Sequence, residues 1–561
     1  MGFSQKIVVS VFIAALSQPA LCADDVRHLL DRITFGATPA LVAQVQEIGM
    51  DAYLEQQLNP AAIADTSMAR RLAPYETLDL GSKELIQAYY GRIKQFLNNQ
   101  QLTANMSDEA RTRYGLERLA GERQDVGEMN RSQQLELVLS RLDYRAIGEL
   151  QTTKLIRAVH SEHQLYEVMV DFWTNHFNID VSRGAAGPLK VVDDRDVIRR
   201  HALGNFGDLL HASAQSPAML FYLDNNENAV RRKLGGVEKL VRGLAIRYLV
   251  GVSADAADAN GDAMGMIGGL NENYARELLE LHTLGVNGGY SQADVIVVAR
   301  AFTGWGFNPF NGRFAFNRAN HDPDPKMVLG VSVLEGRQAD GERVLDLIAL
   351  HPATARHLAY KLCQRFVSDE PPAVLVDRVA ARFVASAGDI PETLRAIFGS
   401  AEFQDASFRQ NKLKTPLEFV ASSLRLLGAE LVPDPDPQFH QVRMTLEGLG
   451  STGPASEALS RAREKSVNWR LVEMGQPLFA YPAPTGYPED SRYWQQPGLA
   501  LQRMNFALAL TDGAVSGVKL GQPDTLRLAE FAGLDTSLLP ADLPPSQLLA
   551  AALASPSFQY R

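Results

Sequence analysis

Residues 271–305, NENYARELLELHTLGVNGGYSQADVIVVARAFTGW, leave this chain little choice of local structure. Asn273, Glu277, Glu280 and Leu284 recur at i, i+4, i+7 and i+11, which places them on one side of a helix. Ala275, Leu278, Leu279 and His282 fall on the other side, the expected buried face. Gly285 and the run Asn287, Gly288, Gly289 stop the helix, because glycine takes the left-handed cap conformation without a Cβ penalty. Ser291 then caps a second helix through Arg300, with Val295, Val298, Ala299 and Phe302 as its apolar stripe. Two carboxylates and an amide on the open face of a buried helix make this the first place to look for chemistry.

The same 3.6-residue periodicity dominates elsewhere. Val26, Leu29, Leu30 and Ile33 pattern a first helix, and Thr38-Pro39 is an N-cap and first-turn proline for the next. Further helices are expected over 82–99, 107–124, 132–178, 194–211, 213–223, 355–366, 374–387, 390–399 and 416–427. The mixed-sign run at 107–124 reads as a solvated face. Strand patterning is confined to 313–317 and 327–333, expected to pair as one hairpin around 321–326. The fold class that follows is mainly α, a multi-helical, bundle-like body with one small β-hairpin and long loops. At 561 residues the chain exceeds one ordinary core, and three regions are expected at 24–250, 251–350 and 351–561.

Residues 1–23 read as a signal peptide, with Lys6 before a short apolar run and small residues near Ala20, Cys22 and Ala23. No later segment is apolar and long enough to span a bilayer, so a periplasmic or secreted protein without a membrane span after cleavage is expected. The net charge of -10 becomes one unit more negative when Lys6 leaves, which argues against a nucleic-acid partner. Of the two cysteines, Cys22 lies at the leader's edge, leaving Cys363 without a disulfide partner and excluding thiolate zinc sites. Asp258, Asn260 and Asp262 alternate as in a calcium loop, but Ala263 and Gly269 replace its required glycine and glutamate.

Candidate catalytic residues are His176 and Asn175 at the end of an apolar helix, Glu277 and Glu280, and His321 with Asp322 in a proline-braced loop. Candidate binding side chains are Arg276, Trp305, Lys326 and Arg32. His321, Asp322 and Glu277 are the histidine and carboxylate donors that could hold a divalent metal. Each has a structural alternative. His176 continues the stripe of Met169, Phe172 and Trp173 as a core residue, Arg32 is a plain hydrogen-bond donor, and Arg276 pairs with Glu280 at i, i+4. A segment at 475–503, carrying five prolines and five aromatic residues, is expected to wrap over the helical body.

These landmarks resemble an uncharacterised family of large exported bacterial proteins, domain of unknown function 1800. The pieces are HLLDRITFGAT from His28, FWTNHFNI from Phe172, ALGNFGDLL from Ala202, NENYARELLELHTLG from Asn271, ARAFTGW from Ala299, HDPDPKMVLG from His321, HPATARHLAYKLCQRFV from His351, GQPLF and SPSFQ. The chain departs at Tyr487, where a tryptophan after glycine is more typical. The resemblance implies a secreted helical protein and, as a partner, a second exported protein of phosphatase-like or sulfatase-like appearance. It implies no reaction.

The expected function is a periplasmic or secreted hydrolase, metal-assisted or acid/base, acting on an extracytoplasmic substrate. One alternative is a non-catalytic exported scaffold that binds the phosphatase-like partner or a cell-wall polymer. The other is a polysaccharide lyase using Asn175 and His176. Nucleotide loops, Gly-x-Ser-x-Gly elbows and haem-attachment motifs are missing from the sequence. Convergence of His176, Glu277 and His321 within one pocket favours the enzyme; scatter over separate helical bundles favours the scaffold.

Overall fold

The computed structural model describes residues 23–98, 142–233, 266–432 except 268 and 335, and 466–561 except 522, 523 and 541, with isolated positions at 238, 244 and 245. The signal peptide expected at the N-terminus, up to Cys22, the helix expected at 107–124 and the calcium-like positions Asp258, Asn260 and Asp262 lie outside the described residues.

Among the described residues the protein is mainly α-helical, with four two-stranded antiparallel sheets. Helix α1 (Ala23–Ile33) buries Val26, Leu29, Leu30 and Ile33, the stripe its periodicity predicts. The next helix, Pro39–Ile48, opens as its cap signals require, with the Thr38 side chain accepting from the Leu41 amide. Helices α2 (Leu142–His160) and α3 (Gln164–His176) follow. Almost every residue of α3 is buried, polar Gln164 and Glu167 included, so it is a central helix rather than an amphipathic surface one. One cluster of buried apolar side chains runs from Val26 to Phe558 and draws on all three regions of the sequence.

Helix α4 (Asn273–Glu277) continues into a π-helical turn at Leu278–His282. Helix α5 (Gln292–Ala301) begins with a reciprocal capping box between Ser291 and Asp294. The strand pairing differs from the single hairpin expected. Strands β1 (Trp305–Asn308) and β2 (Arg313–Phe316) form one hairpin, and β3 (Lys326–Val328) and β4 (Val331–Val333) form another. Leu329 and Gly330 both have positive φ, the two-residue turn that closes the second pair locally. The proline-rich residues 321–326 join two hairpins instead of closing one.

Helices α6 (Pro352–Phe366) and α7 (Pro416–Leu426) meet α3 through a buried charge network. The Arg365 guanidinium, 2% exposed, lies 3.3 Å from Asp171, 3.1 Å from Glu418 and 3.4 Å from Glu489. Several carboxylates around one guanidinium offset the desolvation that burying it costs. Burial alone pushes Glu418 up, but Arg561 and Arg365 outweigh it and hold that carboxyl at about 2.

The proline- and aromatic-rich segment crosses the C-terminal end of α3. Asn175 donates to the Tyr487 carbonyl at 2.7 Å and accepts from the Tyr487 amide at 2.6 Å. Asn178 donates to the carbonyls of Tyr481 and Ala483 at 2.9 and 2.8 Å. Gly486, at φ +69°, lies against the Asn175 carbonyl so closely that any side chain there collides with it.

Candidate functional site

Glu277 and Glu280 lie on the open side of α4 and its π-helical turn, both half-buried, while Ala275, Leu278, Leu279 and His282 are buried behind them. Arg276 turns away to Glu272 at 3.0 Å and to Gln292, so the i, i+4 pairing with Glu280 does not form. Among the described residues neither Glu277 nor Glu280 has a cation within ion-pair distance. Burial, and next the charge of Glu280, raise the Glu277 carboxyl above the ordinary carboxylate range. The Tyr222 and Tyr290 phenols titrate higher than usual, mainly through burial and in part through the charge of these glutamates. Asn273, on the same face, donates to Asp224 at 3.4 Å, and Asp224 faces Arg183 at 3.8 Å. The face therefore carries two carboxylates bordered by phenols and one guanidinium. That arrangement can protonate a leaving group and deprotonate a water.

A second polar group lies between α3, the π-helical turn and α6, with His176 and His282 buried and His357 and Lys361 partly exposed. His176 is 1% exposed; its Nδ1 accepts from Lys361 Nζ at 2.9 Å and its Nε2 donates to the His282 carbonyl at 3.1 Å. The His282 and His357 rings centre 6.1 and 6.4 Å from the His176 ring. Burial, with Lys361 nearby, drives all three imidazoles towards the neutral form, His282 to about 3 and His357 to about 4.

The His321 loop is a third, separate network. His321 Nδ1 donates to the Thr303 carbonyl at 2.8 Å, and Nε2 lies 3.1 Å from Asp340. Asp322 receives Arg300 at 2.7 and 3.1 Å. Lys326 is buried, donating to the carbonyls of Asp322 and Asp324 and to the Asp340 carboxylate. Trp305, fully buried, packs on Phe302 and Phe314, and Arg32 donates to the Phe408 carbonyl and Asn411 inside the core. Lys326, Trp305 and Arg32 thus face protein rather than a ligand surface. The ligand set of His321, Asp322 and Glu277 is not assembled: the first two are engaged by Thr303, Asp340 and Arg300, and Glu277 faces Glu280. Among the described residues no three His, Cys, Asp or Glu side chains are arranged to hold a metal ion.

The sequence profile of a family described as a protein of unknown function (DUF1800) matches residues 28–560. The chain belongs to this family. No curated protein and no solved structure is similar enough to count as a match.

Within this DUF1800 chain, sequence reasoning did not single out Lys361, His357, Tyr222, Arg183 or Tyr290. One signal was available: His357 and Lys361 stand at i, i+4 beside the apolar stripe of α6, a polar pair at the edge of a buried face. Tyr222, Arg183 and Tyr290 come from three separate stretches and carry no shared pattern.

Proposed function

We propose that this DUF1800 chain is an exported hydrolase working by acid/base chemistry at the Glu277–Glu280 face. The observation that carries the reading is the half-buried Glu277 carboxyl, raised by burial and by Glu280, with no cation within ion-pair distance among the described residues. A carboxyl poised towards neutrality can give its proton to a leaving group, and the neighbouring carboxylate can draw one from the attacking water. Arg183 and Tyr290 supply hydrogen bonds to orient a polar substrate, while the Tyr222 hydroxyl is held by the Pro482 carbonyl. The leader pattern at 1–23 supports a substrate outside the cytoplasm. This reading is preferred to β-elimination because both polar atoms of the Asn175 amide hold Tyr487.

The test is a hydrolysis screen of the mature chain against glycoside, ester and phosphate reporters, beside Glu277→Gln and Glu280→Gln. Each variant is expected to lose about 10²-fold or more in rate, the usual weight of a general acid or base. Equal rates in the wild type and both variants sink the proposal.

The separation of His176, Glu277 and His321 into three networks favours a second reading. In it the chain is a non-catalytic scaffold for a phosphatase-like or sulfatase-like exported partner, with the glutamate face as contact surface. Its mark is partner binding that weakens in Glu277→Lys while no reporter is turned over.

A further inference from the structure

Buried lysines in this protein generally meet a carboxylate. Lys154 lies 2.7 Å from Asp171, Lys190 2.5 Å from Asp193, Lys326 2.9 Å from Asp340 and Lys412 2.5 Å from Asp369. Lys361 differs. Among the described residues its Nζ has no carboxylate within ion-pair distance, and it donates instead to His176 Nδ1 at 2.9 Å. The His176 tautomer follows from its two contacts: Nε2 carries the proton that the His282 carbonyl receives, and Nδ1 is the bare acceptor. The groups facing Lys361 are His176, His282, His357 and, farther off, Glu489, whose charge Arg365 already balances at 3.4 Å. His282 Nε2 is buried in the same cluster and has no hydrogen-bond partner among the described residues. Burial brings the Lys361 ammonium down to about 8, yet the side chain is only partly buried and so can be reached. Lys414 makes a useful contrast. Burial lowers it equally, but it is 5% exposed and lies 3.8 Å over the Phe558 ring.

The geometry points to Lys361 as a reactive amine that condenses with the carbonyl of a small aldehyde to form an imine. The nitrogen lone pair attacks the carbonyl carbon, the C=O π pair moves to oxygen, and His176 Nδ1 receives the proton that nitrogen sheds. Passed on to the alkoxide oxygen, that proton makes the hydroxyl; the second proton of the nitrogen follows the same route, and water leaves as the C=N bond forms. No oxidant or reductant is consumed. This assignment is independent of the glutamate face.

The experiment is competition labelling of the intact mature chain with limiting glycolaldehyde and cyanoborohydride at about pH 7.5, read by quantitative peptide mass mapping. Lys361 is expected to be labelled about tenfold faster than exposed Lys83 and Lys519, because far more of it is free amine at that pH. Its labelling saturates with aldehyde, Lys414 stays unlabelled, and Lys361→Arg loses the adduct while keeping its circular dichroism spectrum. The wild-type competition decides alone if the variant does not fold. Labelling of Lys361 no faster than Lys83, or rising without saturation, overturns the assignment.

Discussion

Around His321, cations and carboxylates interlock: Arg300 with Asp322, and Lys326 and His321 with Asp340. Around His176 the same residue types gather without that balance. Lys361 and three imidazoles share a site with no carboxylate within ion-pair distance among the described residues, and one imidazole nitrogen is unanswered. The two clusters show that a buried histidine is informative through its partners and not through its type. Balanced groups in low dielectric brace a fold. Groups left short of partners retain interaction energy that a ligand can use.

The sharpest way to break this comparison is to remove the lysine from each cluster. Lys326→Met leaves the buried Asp340 with His321 and the Gly336 amide but without its lysine, and urea unfolding is expected to show a loss of about 3 kcal/mol. Acid is the next lever. The lowered pKa values of His176, His282 and His357 mean that the unfolded chain binds protons between about pH 6.5 and 4 that the folded chain refuses. Stability therefore falls as pH drops through that window, and His357→Gln is expected to flatten the slope by up to about 1.4 kcal/mol per pH unit. His28 and His160, also lowered to about 4, act in the same sense and persist in the variant.

Lys361→Met sets two effects against each other. It removes an ammonium that burial disfavours and leaves His176 Nδ1 without a donor. The net change at neutral pH is expected within about 1 kcal/mol, far from the Lys326 value. A loss equal to that of Lys326→Met shows instead that the Lys361 cluster is as structural as the His321 loop. The smallest effect is expected on the glutamate face. A raised carboxyl favours the folded state while protonated and works against it once pH passes the folded pKa. Glu277→Gln is therefore expected to raise Tm slightly at pH 7, by about 1 °C, because the pair is half exposed. Calorimetry at pH 4 and 7 checks the sign, since the gain vanishes at the lower pH.

Much of this architecture was legible in the residues themselves. The buried side of the 273–282 helix, the Ser291 cap and the apolar stripe of α6 follow from spacing that any chain must obey. So does the proximity of Glu277 and Glu280, three residues apart on one helix. The π-helical turn did not show, because a widened turn depends on what packs against it. The strands at 313–316 and 326–333 were visible, but not their partners, since a local turn at Leu329-Gly330 outcompeted the longer loop.

Short-range periodicity thus determined the helical class and the carboxylate pair, because each depends on residues within a few turns of one another, while the family showed in the order of motifs along the whole chain. Only the tertiary structure decided which polar residues are occupied. Asn175 holds Tyr487 across 312 positions of sequence, and Lys361 reaches His176 across 185. Whether a buried donor finds its acceptor depends on how distant helices pack, and no local pattern encodes that distance.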